Sequence, residues 1–116
     1  MKYLCLVYHE EAKLDALARS EYDALVTDSL ALVEDLRTSG QHIAADALQA
    51  VDTATTLRVR NGKVSMTDGP FAETKEQLGG FFLVEARDLN EAIRIASRIP
   101  GARIGSVEVR PIKELQ

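Results

Sequence analysis

Apolar residues occupy both alternating faces of the first segment. In "KYLCLVY" Tyr3, Cys5 and Val7 point one way, and Leu4, Leu6 and Tyr8 the other. A strand apolar on both sides is a central strand with something packed on each face. "GGFFLVEAR" repeats the pattern: Phe81 and Leu83 alternate with Phe82 and Val84, after an entry through Gly79-Gly80. Between them the period changes to that of a helix. In "SEYDALVTDSLALVEDLRTSG", Tyr22, Leu25, Val26, Val33 and Leu36 recur at helical spacing. Ser20 and Asp23 have the spacing of a capping box, and Gly40 supplies a stop. An acidic connection precedes this helix and reads as mobile.

"HIAADALQAV" is read as a strand returning to the sheet. "TATTLRVRNGKVSMTD" is a hairpin about Asn61-Gly62, the pair that favours a two-residue type I′ turn. The turn sets Val59 against Val64 and Leu57 against Met66 on one face. Arg58 then opposes Ser65, and Arg60 opposes Lys63, on the other; the same register carries Thr55 to Asp68. "DLNEAIRIASRIPG" gives a second helix, with Asp88 and Glu91 at capping spacing. Its stripe is Leu89, Ala92, Ile93, Ala96 and Ile99, and Pro100-Gly101 ends it. "GSVEVRPI" is the last strand, with Val107 and Val109 inward, Glu108 and Arg110 outward, and Pro111 at its end or on an edge.

The order strand-helix-strand, hairpin, strand-helix-strand predicts an α+β fold, a ferredoxin-like βαββαβ sandwich with an added β-hairpin. Both helices then cover one sheet face. The other face is apolar too, and an uncovered apolar face on this scale calls for a partner. A two-fold homodimer with its sheets face to face satisfies that need. The alternative is that the hairpin or the tail folds back over the same face.

With 116 residues the chain suits one domain spanning residues 1–116. Net charge is −4, which argues against nucleic acid as a partner, because phosphate binding needs a positive field. No apolar run approaches the roughly 18 residues needed to span a bilayer, so no membrane association is expected and the cytoplasm is the default location. Cys5 is the sole cysteine; no internal disulfide can form, and in an apolar run it reads as a small buried hydrophobe.

The stretch "SMTDGPFAETKE" holds the candidate chemistry. In one reading Asp68-Gly69-Pro70-Phe71 is a rigid corner, with Asp68 accepting backbone N–H bonds and Phe71 pinning the turn into the core. In the other, Asp68 is a general acid or base at a pocket rim that Phe71 helps to build. Glu73 and Lys75 are either part of a solvated loop or project into the same cleft as Asp68. Gly79-Gly80 permits close backbone approach; no phosphate-binding glycine pattern surrounds it. Tyr8, near the end of the first strand, is a candidate pocket residue; core packing is the plainer reading for it and for Tyr3. Arg58 and Arg110 are read as solvated or salt-bridged. No metal-ligand spacing, nucleophile elbow or cofactor motif is present, so no metal and no cofactor are expected.

"DGPF", "ETKE", the Gly79-Gly80 pair and "EVRP", taken with "MKYLCLVY", resemble the DGPF branch of the YCII-related family over essentially the whole chain. The resemblance implies a ferredoxin-like domain of the dimeric α/β-barrel type. It brings no agreed reaction. A related branch includes a dehydrochlorinase acting on a chlorinated aromatic through a proposed His–Asp pair. Carried to this sequence, the pair would join Asp68 to His9 or His42, the only histidines, and neither adjoins it. Family members are also often encoded beside extracytoplasmic-function sigma factors. Three functions are therefore set against each other. The first is a small cofactor-free acid–base enzyme of the lyase or isomerase kind. The second is a non-catalytic ligand- or protein-binding dimer with a regulatory role. In the third, Asp68 is a turn residue only.

Overall fold

A computed structural model describes residues 1–115. The elements run β1 (Lys2–His9), α1 (Glu11–Asp15), α2 (Arg19–Thr38), β2 (His42–Ala47), β3 (Thr55–Arg60), β4 (Lys63–Asp68), β5 (Gln77–Glu85), α3 (Leu89–Ser97) and β6 (Ser106–Pro111). Short 3-10 turns cover Val51–Thr53 and Pro100–Arg103.

Four strands form an antiparallel sheet in the order β2-β5-β1-β6. The two strands apolar on both faces hold its centre, where each ladder can be completed on both sides. This is the ferredoxin-like arrangement, and β3 and β4 form a separate two-stranded arm. The arm has the register its Asn61-Gly62 turn dictates, from Arg60 opposite Lys63 to Thr55 opposite Asp68. Asn61 and Gly62 both take positive φ, 52° and 73°, as that turn requires.

The core lies between the sheet and the helices. Tyr3, Cys5 and Val7 of β1 meet Phe82 and Val84 of β5, beneath Leu32 and Leu36 of α2 and Ala92, Ile95 and Ala96 of α3. Val107 and Val109 of β6 pack against the same cluster. Burying a Leu or Phe side chain of this kind is worth about 1.5–3 kcal/mol. Asp88 caps α3, its carboxylate accepting the Glu91 N–H at 2.9 Å.

Several expectations are corrected. The connection before α2 contains the short helix α1. α2 begins at Arg19, one residue before Ser20, so Ser20 and Asp23 do not form its cap; the Glu21 carboxylate instead accepts the Ala18 N–H at 2.9 Å. In α3 the buried stripe includes Ile95, while Leu89 and Ile93 stay exposed. Phe71 is 81% exposed and does not pin its corner into the core of this chain. The corner is held by the main chain, with Gly69 donating to the Ala54 carbonyl at 2.7 Å and Thr56 Oγ1 donating to the Gly69 carbonyl at 2.8 Å.

The molecule is thin, 46 × 45 × 19 Å. About 10 Å separates packed layers, so 19 Å accommodates the sheet and one helical layer. Leu4, Leu6, Phe81 and Leu83 lie on the face opposite the helices and are half-buried. Neither the arm nor the tail folds over them: every arm residue but Thr56 is exposed, and so is Leu115.

Candidate functional site

α2 contacts the sheet through its C-terminal half. Leu32 and Leu36 are buried, but earlier in the same helix Tyr22, Val26 and Leu30 are exposed. The N-terminal half stands off, and a cleft of about 440 Å³ opens beneath it. That volume lies within the usual range for small-molecule sites. Leu25, Val26 and Val33 of α2 form one wall; Val7, Phe82 and Ala45 of the sheet form the floor. Leu14 and Asp15 of α1, with Ile99 and Ile104, complete the lining.

His9 lines this cleft beside a break in pairing on the neighbouring strand. Val7 pairs with Gly80, but Tyr8 pairs with Leu78, leaving Gly79 as the extra residue of a bulge. The His9 imidazole lies against Gly79, where a Cβ would overlap it. Among the described residues no group hydrogen-bonds the ring or forms an ion pair with it. Gly80 is needed for a different reason: a Cβ there would sit 2.9 Å from the Asp46 carbonyl oxygen of β2. The two glycines thus give close approach, one to a side chain and one to a neighbouring strand.

Hydrogen bonds secure the surrounding loops. Glu11 accepts the Val51 N–H at 2.9 Å, and its own N–H donates to Gln77 Oε1 at 3.1 Å. Gln77 Nε2 donates to the Thr74 carbonyl at 2.8 Å, tying the "ETKE" loop to the end of β1 and the start of α1. Lys75 reaches Glu10 at 3.9 Å from an exposed position. Glu73 is exposed, as is Asp68 at the end of β4. Tyr8 is half-buried on the open face of the sheet, opposite Ser106. None of Asp68, Phe71, Glu73, Lys75 or Tyr8 lines the cleft under α2.

His42 starts β2 and pairs with Val84, and its Nδ1 is buried without a hydrogen-bond partner. It too lies outside the cleft. Cys5 is fully buried, and burial pushes its thiol up to about 11, which leaves it protonated and unreactive at neutral pH. Arg110 pairs with Glu108 beside it on β6, and Arg58 is exposed on the arm. Among the described residues no group of three or more His, Cys, Asp or Glu side chains could hold a metal ion, and no helix is long and apolar enough to cross a membrane.

Sequence reasoning reached His9 only as one of two histidines. The available signal was the alternation of β1 itself: Tyr3, Cys5, Val7 and His9 share one parity, which carries His9 to the helix side.

A family model for the YCII-related domain matches residues 1–116. An uncharacterised protein of Rhizobium meliloti (strain 1021) is 36% identical over 114 residues, covering 97% of this chain and 92% of that protein. Among solved structures, the 5-chloro-2-hydroxyhydroquinone dehydrochlorinase of Burkholderia phenoliruptrix AC1100, in complex with 2,5-dihydroxybenzoquinone, superposes with a TM-score of 0.57. Identity is 16%, with 97% of this chain and 94% of that one covered, a likeness of fold. The chain belongs to the YCII-related family.

Proposed function

We propose that this member of the YCII-related family is a small acid–base enzyme of the lyase or isomerase kind, acting on a ring-sized organic molecule held beneath α2. The observation that carries the reading is an unpartnered imidazole set in a cleft of about 440 Å³ whose lining is mostly apolar. Imidazole is the side chain suited to proton transfer near neutral pH. In an elimination, His9 would take the proton from substrate carbon. The C–H electron pair would form the new double bond as an anionic leaving group departs with its own bonding pair. The structural neighbour, a dehydrochlorinase solved with a small hydroxylated quinone, supports this class of chemistry and this size of ligand.

Asp68 is the second candidate acid or base. In the proposed assembly two copies pack sheet to sheet across Leu4, Leu6, Phe81 and Leu83. The arm of one copy, with Asp68, Phe71, Glu73 and Lys75 at or just beyond its base, then lies against the other. Tyr8, on the same open face, would sit at that junction. The two-layer thickness and the uncovered apolar face support the dimer.

The test is turnover of a panel of halogenated and hydroxylated aromatics by wild type, His9→Gln and Asp68→Asn. Loss of turnover by about 100-fold or more in His9→Gln, with binding retained, is expected. Full activity in His9→Gln together with loss in Asp68→Asn would move the chemistry to the arm. Full activity in both would end the acid–base reading for either residue.

A second reading has its own observation. Met66 is 72% exposed and Phe71 81%, on or just beyond an arm whose residues other than Thr56 are all exposed. Such an arm suits a protein-binding dimer with a regulatory role, linked in this reading to an extracytoplasmic-function sigma factor. Recovery of one stoichiometric protein partner, lost on Met66→Lys, would favour it.

A further inference from the structure

Apart from the His9 imidazole, the ionisable side chains at the sheet and loop side of the cleft are acidic. Three carboxylates line it, from Glu11, Asp15 and Asp46, and neither a lysine nor an arginine does. The nearby bases are engaged elsewhere. Lys13 and Lys75 both lie on Glu10, at 3.6 and 3.9 Å, and Arg103 pairs with Asp28 at 3.1 Å. Glu11 spends one oxygen on the Val51 N–H. Asp15 and Asp46 have no side-chain hydrogen bond or ion pair among the described residues, so their charge is left for whatever enters.

We infer that the cleft selects by charge: it takes ring-sized molecules that are protonated or uncharged, and turns away carboxylates and phosphates. The inference rests on the cleft being a binding site, the reading proposed above. An anion entering would lose its hydration against apolar walls and meet three carboxylates with neither lysine nor arginine, and only the His9 imidazole, to offset them. An ammonium group loses the same hydration but gains the field of the rim, while the ring gains the apolar walls under either charge. Because Asp15 and Asp46 are exposed, the effect is a screened one and should shrink as salt is added.

Three probes of one shape separate the terms: benzylamine, benzyl alcohol and benzoate, titrated against the full-length protein by ligand-detected NMR at low and high salt. The expected order of affinity is benzylamine, then benzyl alcohol, then benzoate, with the ends at least about tenfold apart at low salt. The double substitution Asp15→Asn, Asp46→Asn should narrow that gap without abolishing binding of benzyl alcohol. Val26→Trp, which fills the cleft from an exposed helix position, should weaken all three. Equal affinity for the three probes, each lost in Val26→Trp, would overturn charge selection and leave the site standing. Benzoate binding most tightly would overturn it as well. Binding of none, or binding unaffected by Val26→Trp, would remove the site and the inference together.

Discussion

The imidazole of His9 rests on Gly79, in the space that any other residue's Cβ would occupy. One residue carries the candidate chemistry, and the other, having no side chain, leaves room for its ring.

Gly79→Ala is therefore expected to displace the ring while leaving the fold in place. Turnover of any accepted substrate should fall by at least about tenfold, since small misplacements of a reacting group are costly. Gly80→Ala meets main chain rather than a movable ring, and should cost about 1–3 kcal/mol of stability. Chemical denaturation and activity, measured on both variants, check the pair: Gly79→Ala should lose activity at nearly normal stability.

Leu6 pairs with Phe81, and Leu4 with Leu83, on the face without a helical cover. Leu6→Asp or Leu83→Asp would bury an unpaired charge in the proposed dimer. Sedimentation velocity should show a dimer for wild type and a monomer or unfolded chain for either variant. A wild-type monomer at micromolar concentration would sink the sheet-to-sheet arrangement.

Cys5 supplies a pH dependence. Its folded-state thiol is raised from 9.0 to about 11, so the folded state holds the proton more tightly than the unfolded one. The contribution is fully present below pH 9 and is lost as pH rises towards 11. Cys5→Ala should flatten the fall in stability over that interval, read by denaturation at a series of pH values. Native protein should also resist thiol alkylation near pH 8 and react once unfolded.

Capping offers a contrast. Asp88→Ala should cost about 1 kcal/mol, because it removes the acceptor for the Glu91 N–H. Ser20→Ala, at a position the sequence pattern suggests as a cap, should stay within about 0.5 kcal/mol, since Ser20 lies inside α2. Thermal melts of the two variants settle the point.

The sequence pattern placed the two longer helices, α2 and α3, and the four sheet strands, and it found the arm's register to the residue; the short α1 it read as a mobile connection. These features rest on short-range physics. A period of two or of 3.6 marks an element, and an Asn-Gly pair selects one turn, whose geometry dictates every pairing after it. The caps were less legible: Ser20/Asp23 and the true pair Ala18/Glu21 lie two residues apart on one helix, and only where α2 starts tells them apart. Phe71 escaped prediction because an aromatic after a turn serves equally well as a core anchor or as part of a surface for another molecule.

Composition and periodicity by themselves determined the α+β class, the two central strands and the existence of an apolar face left without a helix. The tertiary structure decided where a ligand could sit. The cleft exists because α2 packs down through Leu32 and Leu36 and lifts away at Tyr22 and Val26, although all four belong to its apolar positions. The room for the His9 ring there is left by Gly79, a residue far along the chain. A hydrophobic pattern states which side of a helix is apolar, but not whether the sheet will meet it along its whole length; that depends on how several elements share one core, which no local stretch encodes.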